Sequence, residues 1–159
     1  MNIRHTQKED LPRLLAIYET AREFMAQTGN PHQWGSTNPP ADRVERDIEE
    51  GLSYAVEQDG RVCGVFALIE GDDPTYAVID GAWRSDAPYA TIHRIASDGT
   101  AHGILAAAVA FGLTRCPHLR IDTHTDNRVM QHLVQKLGFV HCGTIYLANG
   151  SPRLAYERI

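Results

Sequence analysis

Apolar residues in the first part of the chain recur at spacings that predict helices. A short polar segment, Asn2 to His5, has the length of a strand, and a stripe at helical spacing follows it, formed by Leu11, Leu14, Leu15, Tyr18, Ala21 and Met25. Pro31 lies beyond the end of this helix, because proline cannot continue it. After a loop, Pro40 begins a second short helix that Gly51 ends.

The next segments alternate apolar and polar positions, which is typical of strands. Leu52 to Glu57 predicts one strand, Asp59-Gly60 a two-residue hairpin turn, and Arg61 to Glu70 a second strand. The second strand is apolar on both faces, so we expect it near the centre of a sheet. Between Thr75 and Ala90 the pattern is mixed, and only Tyr76 to Ile79 suggests a short strand.

The second half of the chain contains two strand-to-helix units. Thr91 to Ile104 predicts a strand, a turn with glycine and the start of a helix. Leu119 to His124 predicts a strand, and the following helix begins at Thr125 or Asp126 and ends at Gly138. The remaining residues predict a hairpin, with its turn at Asn149-Gly150.

This order of elements predicts a single α/β domain over residues 1–159, with one mixed sheet and helices on both faces. Two successive strand-to-helix units imply two neighbouring parallel strands joined by a crossover. We expect Arg94 and Asp122, one on each of these strands, to form an ion pair that fixes their register.

Composition and charge exclude several classes of function. The net charge is −5 and no run is rich in Lys or Arg, which argues against a nucleic-acid surface and mildly favours a cationic or neutral substrate. No apolar run reaches the roughly 18 residues of a membrane span, so we expect neither membrane insertion nor secretion. Cys63, Cys116 and Cys142 are widely spaced, which indicates reduced thiols in the cytoplasm.

The turn within Thr91 to Ile104 is a candidate anion site. Gly99 and Gly103 lie between a buried strand and a helix, where free backbone N–H groups and the helix dipole meet. We therefore expect this turn to bind a cofactor that carries phosphate. Asp122, His124 and Asp126 suggest a metal site, but strand alternation directs Asp122 and His124 one way while Asp126 begins a helix, and no second cluster completes a ligand shell, so we predict no metal.

The segment from Asn127 to Phe139 identifies a family. Asn127, Met130, Leu133, Lys136, Leu137, Gly138 and Phe139 stand at the spacing of the N-x-x-A-x-x-L-Y-x-K-x-G-F helix, which is found in the GNAT superfamily of N-acetyltransferases, and the chain resembles that superfamily. The order of elements is similar over nearly the whole chain, and the motifs match from about Ile92 to Phe139.

The resemblance implies an acetyl-CoA site between parallel strands that splay apart at the centre of the sheet. The pantetheine arm would pair along Ile95, Ala96 and Ser97, and backbone amides would hold the pyrophosphate at Gly99, Thr100, Ala101, His102, Gly103 and Ile104. Asn127 and Met130 are the implied contacts from the next helix. In this chain Ser97 to Gly103 replaces the family's Q/R-x-x-G-x-G/A, without a basic side chain and with an Asp98 that would repel phosphate.

Attack of an amine on a thioester requires a general base, because an amine with a pKa near about 10 is almost wholly protonated at pH 7. His93 on the central strand is the first candidate, and the alternative for it is a hydrogen-bonded core histidine. Asp80, Glu70 and His124 are weaker candidates. The backbone N–H of Ala96, or of a neighbour, would stabilise the oxyanion.

The resemblance also implies a tyrosine that protonates the departing thiolate, but Val134 stands at that position. Tyr146 or Tyr156 could replace it, and sheet packing is the alternative for both. A thiolate with a pKa near about 8.5 is already a fair leaving group at neutral pH, so the loss is tolerable.

Aromatic residues in two loops are candidates for the acceptor pocket. Trp34, Tyr76 and Trp83, with Asp80 and His124, would shape it, although each aromatic could instead fill a gap in the core.

The sequence therefore supports two hypotheses. The first is an acetyl-CoA-dependent N-acetyltransferase that acts on a primary amine of a small molecule, with a homodimer expected from the resemblance alone. The second is a non-catalytic acyl-CoA-binding module of the same shape, suggested by Val134 and the degenerate turn.

Overall fold

The computed structural model describes residues 1–159 and is built on one mixed sheet of eight strands. The strands are β1 Asn2–His5, β2 Ser53–Gln58, β3 Arg61–Glu70, β4 Asp80–Gly81, β5 Ala90–Ser97, β6 Leu119–Thr123, β7 Val140–Tyr146 and β8 Pro152–Arg158. The helices are α1 Leu11–Gln27, α2 Ala41–Glu49, α3 Ile104–Arg115 and α4 Arg128–Lys136. This is the single α/β domain with a mixed sheet that the sequence predicts.

The strands lie in the order β1-β2-β3-β5-β6-β8-β7-β4. Of the neighbouring pairs only β5 and β6 are parallel, and α3 connects them. Their pairing is short, because it covers only Ala90 with Leu119 and Thr91 with Arg120. Beyond these two pairs the parallel strands part, and the gap between them opens at the carboxyl end of β5.

Helices cover both faces of the sheet, and each face has its own apolar core. On one face, α3 and α4 pack over the sheet through Ile104, Ala108 and Val134, among others. On the other, α1 and α2 do so through Leu14, Ile17 and Val44. Residues 62–68 of β3 are buried throughout, as expected for a central strand. Burial of each such Leu, Ile or Val contributes roughly 1.5–3 kcal/mol to the stability.

Two local predictions are wrong. Tyr76 to Ile79 is not a strand: Pro74–Tyr76 forms a 3-10 turn, since the Asp73 carboxylate accepts a hydrogen bond from the Thr75 N–H at 2.9 Å. The short strand is β4, which pairs with Gly143 and Thr144 of β7.

The cap of α4 is also one or two residues later than predicted. Asn127 is the cap in place of Thr125 or Asp126, and its Oδ1 accepts a hydrogen bond from the Met130 N–H at 3.0 Å. Asp126 is instead held in the preceding turn, where its N–H donates to His124 Nδ1 at 3.0 Å.

Candidate active site

A cleft of about 560 Å³ lies where β5 and β6 part. Its walls come from β3, β5, β6, α4, β8 and the loops that follow α1 and β3. Four consecutive residues of β5 line it, Ile92, His93, Arg94 and Ile95, as does Asp122 of β6. Strict strand alternation would place every second residue on the other face, so the backbone of β5 must be irregular here.

The irregularity is a bulge in which Arg94 and Ile95 together oppose Phe66 of β3. Arg94 has a left-handed φ of 50°, which is uncommon for a residue with a side chain. Two contacts hold it there. Its Nε and Nη2 donate to the Asp47 carboxylate at 2.7 and 2.9 Å, and its carbonyl accepts from the Tyr18 hydroxyl at 2.8 Å.

The bulge directs a backbone donor into the cleft. The Asp98 N–H donates to the Cys63 carbonyl at 3.0 Å, and because bonds alternate along an antiparallel ladder, Ala96 and Val65 form a hydrogen-bonded pair. The N–H of Ala96, which the sequence suggested as the oxyanion donor, therefore points to β3. Because consecutive N–H groups of an extended strand point to opposite sides, we expect the N–H of Ile95 to point the other way, towards the opening between β5 and β6.

His93 lies at the mouth of the cleft and is paired with a carboxylate. Its Nε2 is 2.6 Å from Asp73 Oδ2. Burial alone would raise the pKa of Asp73, but hydrogen bonds from His93 and Thr75 outweigh it and lower that pKa to about 2. Asp73 is therefore ionised and accepts, so Nε2 carries the hydrogen and Nδ1 keeps a free lone pair. A neutral His93 oriented in this way can accept a proton.

Asp122 does not pair with Arg94, so that predicted ion pair is wrong. The bulge takes Arg94 to Asp47, and Asp122 accepts a hydrogen bond from the Tyr76 hydroxyl at 2.6 Å. Burial and the nearby Asp122 charge raise the pKa of Tyr76 well above its usual value. Tyr76 lies beneath the cleft wall and supports it.

The other acceptor candidates are scattered. Trp34 lines the cleft, whereas Trp83 packs under it, with its Nε1 donating to the Tyr76 carbonyl at 2.9 Å. Asp80 is exposed in β4, and His124 is turned to the backbone of the next loop. Neither lines the cleft.

The tyrosines suggested as proton donors also lie outside the cleft. Tyr146 is 49% exposed at the end of β7. Tyr156 is buried within the sheet, and its burial raises the pKa of its hydroxyl. Val134, which stands on α4 where the family has its tyrosine, is fully buried in the core and has no hydroxyl to donate a proton.

The turn after β5 offers fewer donors than its length suggests. The Gly99 N–H donates to Ser97 Oγ at 3.0 Å, and the Thr100 N–H donates to Asp98 Oδ1 at 2.9 Å. The six N–H groups that follow, in residues 101–106, have no acceptor in the protein. These free donors converge on the start of α3, where the helix dipole adds to them.

Asp98 is less of an obstacle to an anion than the sequence suggests. Burial would raise the pKa of Asp98, but hydrogen bonds from Thr100 and the nearby guanidinium of Arg13 lower that pKa. Arg13 and Asp98 form an ion pair. Arg13 also donates to the Val62 carbonyl at 3.0 Å, which anchors this part of α1 to the turn. The basic side chain that the turn lacks is thus supplied from α1.

Asn127 and Met130 occupy different environments. Asn127 is 9% exposed, and besides capping α4 it donates from Nδ2 to Gln33 Oε1 at 2.9 Å. Met130 lines the cleft. Gln33 therefore joins the loop after α1 to the start of α4.

Sequence reasoning missed Asp73 and Arg153 as cleft residues, whereas Ile95, which it assigned to the pantetheine arm, does line the cleft. For Asp73 a signal was present, since Asp-Pro followed by Thr favours an Asx turn, but nothing in the sequence pointed to His93 as its partner. No group of His, Cys, Asp and Glu with the arrangement of a metal site occurs, and no helix is long and apolar enough to cross a membrane.

Comparisons with known proteins find this architecture in solved acetyltransferases. A GNAT-family acetyltransferase from Streptococcus agalactiae is 33% identical, with a TM-score of 0.87, covering 99% of this chain and 94% of that one. A GNAT-family acetyltransferase from Listeria monocytogenes shares the fold at 15% identity and a TM-score of 0.72, over 99% and 93% of the two chains. A ribosomal-protein-alanine N-acetyltransferase from Brucella melitensis shares the fold at 21% identity and a TM-score of 0.63, over 100% of this chain and 99% of that one.

The protein-family model described as acetyltransferase (GNAT) domain matches residues 1–140 of the chain. No curated protein matches the chain significantly. The chain belongs to the GNAT acetyltransferase family, whose members transfer an acyl group from acetyl-CoA.

Proposed function

We propose that this protein transfers the acetyl group of acetyl-CoA to a primary amine of a small molecule. The observation that carries the proposal is the His93–Asp73 pair in the cleft, next to the bulge of β5 beyond which we expect the Ile95 N–H to face inward. A base and an oxyanion donor on the same short segment of β5 are what acyl transfer to an amine needs.

The free N–H groups of residues 101–106 fit the diphosphate of coenzyme A, because they form a donor cluster without a protein acceptor. The pantetheine arm would pair with the edge of β5 at residues 95–97 that β6 leaves open. Among the contacts suggested by sequence, Gly99 and Thr100 have their N–H groups occupied, so we assign the diphosphate to the donors that follow them.

In the proposed reaction His93 Nδ1 takes a proton from the acceptor ammonium, and Asp73 stabilises the imidazolium that results. The amine nitrogen then bonds to the thioester carbonyl carbon, and the Ile95 N–H donates to the carbonyl oxygen as it gains charge. The carbon–sulfur bond breaks and the thiolate leaves with the electron pair, and it takes up, directly or through water, the second proton that the former amine nitrogen loses as the amide forms. With Val134 in the core and both tyrosines outside the cleft, the thiolate departs without a side-chain donor.

A free-thiol release assay with acetyl-CoA and a panel of primary amines tests the proposal. Replacing the base with His93→Ala should lower kcat/KM about 10²- to 10⁴-fold and remove the fall in rate towards acidic pH. Acetyl-CoA binding, measured by thermal shift, should not change. His141→Ala, at an exposed position of β7, is the control.

An unchanged pH–rate profile in His93→Ala would show that another group is the base. The buried Val134 also favours a second candidate function, a module that binds acyl-CoA without turning it over. Tight binding of acetyl-CoA with no thiol release for any amine would support that module. Cytoplasmic location and a homodimer stay predictions of the sequence and its resemblance.

A further inference from the structure

Arg153 on β8 is a buried cation that the proposed chemistry does not use. The residue is 6% exposed, lines the cleft, and has no carboxylate within salt-bridge distance. Burial lowers the pKa of its guanidinium, and the charge of Asp122 only partly opposes this. A charge removed from water is unfavourable unless it is paired, so an anion bound beside Arg153 would stabilise it.

The free hydrogens of Arg153 have the geometry to bind such an anion. A guanidinium has five N–H hydrogens. Nη1 donates to Ser151 Oγ at 2.6 Å and to the Pro152 carbonyl at 2.8 Å, and Nη2 donates once, to the Gln33 carbonyl at 3.2 Å. Nε and one Nη2 hydrogen are left, and this same pair of atoms on Arg94 holds a carboxylate elsewhere in the protein.

Charges of both signs line the cleft. Arg43 of α2 lines it and makes no ion pair, while Asp72 and Asp73 line the part near His93. The positive charge of Arg153 acts on His124: burial and that charge together lower the pKa of His124. The cleft thus offers acidic groups beside the proposed base, and a buried cation, Arg153, on whose guanidinium the charge of Asp122 also acts.

We propose that the acceptor is a small molecule that carries a carboxylate as well as its amine, as a free amino acid does, and that Arg153 binds the carboxylate. The inference rests on the proposed acetyl transfer and names its class of acceptor. The ammonium would lie near Asp72 and the His93–Asp73 pair, and the carboxylate would lie on the Nε and Nη2 edge of Arg153.

Acetylation of paired acceptors tests this directly. Each free amino acid of a panel is compared with its carboxamide and with the amine that lacks the carboxyl group, with kcat/KM expressed per concentration of neutral amine. One aminoalkylphosphonate is included. We expect the carboxylate to raise kcat/KM about 10- to 100-fold over the carboxamide, the range of a charge-assisted pair.

Substitution of the arginine should remove this preference. Arg153→Gln should lower kcat/KM for the amino acid by the same factor and change that for the carboxamide less than about threefold. Arg153→Lys should retain part of the preference because it keeps the charge. Arg115→Gln, at the exposed end of α3, is the matched control.

The outcomes separate the two proposals. Equal use of amino acids and carboxamides, or a preference for carboxamides, would overturn the carboxylate while acetyl transfer stands. A preference for the phosphonate would assign the anion site to a different acid. Thiol release that occurs without an amine, and that no amine of the panel increases, would overturn acetyl transfer to an amine and this inference with it. The comparison of amino acids with their carboxamides on the wild-type protein tests the carboxylate proposal even if Arg153→Gln does not fold.

Discussion

At the scale of single residues, Asp73 fixes the state of the proposed base. It accepts hydrogen bonds from His93 and Thr75, so the histidine ring is held in one orientation and one tautomer. The side chain of Asp73 is 14% exposed, and the solvent around it is limited. Its low pKa is therefore coupled to the folded state as well as to catalysis.

The coupling predicts how stability depends on pH. The folded-state pKa of Asp73 is lowered to about 2 from its ordinary value of 3.8, so its contribution is fully present above pH 3.8 and is lost as pH falls through 2. Asp73→Asn should lower the unfolding free energy by about 1 to 2 kcal/mol at pH 6. In urea unfolding, the gap between the two proteins should narrow below pH 4.

The neighbouring exposed carboxylate is the control for this prediction. Asp72→Asn should change the unfolding free energy by less than about 0.5 kcal/mol. A gap between wild type and Asp73→Asn that stays constant from pH 6 to pH 3 would contradict the coupling.

Single residues also mark the limit of prediction from sequence. His93 and Trp34 could be proposed because a histidine on a central strand and a tryptophan in a loop are conspicuous, and both line the cleft. Asp73 is 20 positions from His93 and meets it only through the turn after β3. Contacts of this kind depend on tertiary packing, which local patterns do not encode.

At the scale of elements, β5 is where strand rules fail. The sequence predicts a regular strand, but Arg94 adopts a left-handed φ without the glycine or asparagine that usually announces one. The conformation is held by Asp47 of α2 and Tyr18 of α1, which are far away in sequence. The element could be predicted from its apolar pattern, and the bulge that gives it function could not.

The start of α3 is the element expected to bind the diphosphate. Gly103 precedes it with a left-handed φ of 83°, a conformation that is about 1–2 kcal/mol unfavourable for other residues. Gly103→Ala should shift the backbone donors of residues 101–106 and raise the Kd of acetyl-CoA about 10-fold or more, measured by titration calorimetry.

A second glycine provides a matched control. Gly150 has the same φ of 83° in the hairpin between β7 and β8, and no atom lies within 4 Å of an added Cβ at either position. Gly150→Ala should destabilise the protein by a similar amount and leave the Kd unchanged. Equal changes in Kd for the two variants would show that the effect of Gly103→Ala is one of stability alone.

At the scale of the whole molecule, net charge is a poor guide to the cleft. The charge of −5 favoured a cationic or neutral substrate. The fold, however, places Arg43 and Arg153 in one cleft with Asp72, Asp73 and Asp122, so both signs of charge face the acceptor. Composition averages over the surface, whereas binding depends on the few charges that the fold brings together.

The carboxylate of Glu157 binds groups from several separate segments of the chain. It is fully buried on β8 and accepts from the Arg84 N–H at 2.6 Å, from His118 Nε2 at 2.8 Å and from Arg120 Nε at 3.3 Å. The cluster joins β8, β6 and the loop before β5. Arg120 lies between the rings of Trp83 and Tyr89, at 3.9 and 4.0 Å from their centroids.

Removing this carboxylate should be the most destabilising charge change among those considered. Glu157→Gln leaves the guanidinium of Arg120 buried without its counter-charge, and we expect a loss of about 3–5 kcal/mol in urea unfolding. Glu57→Gln is the control, because Glu57 pairs with Arg4 at a more exposed site and should cost less than about 1 kcal/mol.

A double variant separates charge from packing. If the loss in Glu157→Gln arises from the unpaired guanidinium, adding Arg120→Met should restore part of the stability, since the buried charge is then gone and the apolar stem still packs between Trp83 and Tyr89. If the double variant is less stable than Glu157→Gln by the full cost of Arg120→Met alone, the two side chains act independently. The carboxylate would then stabilise the fold through the Arg84 N–H and His118 instead.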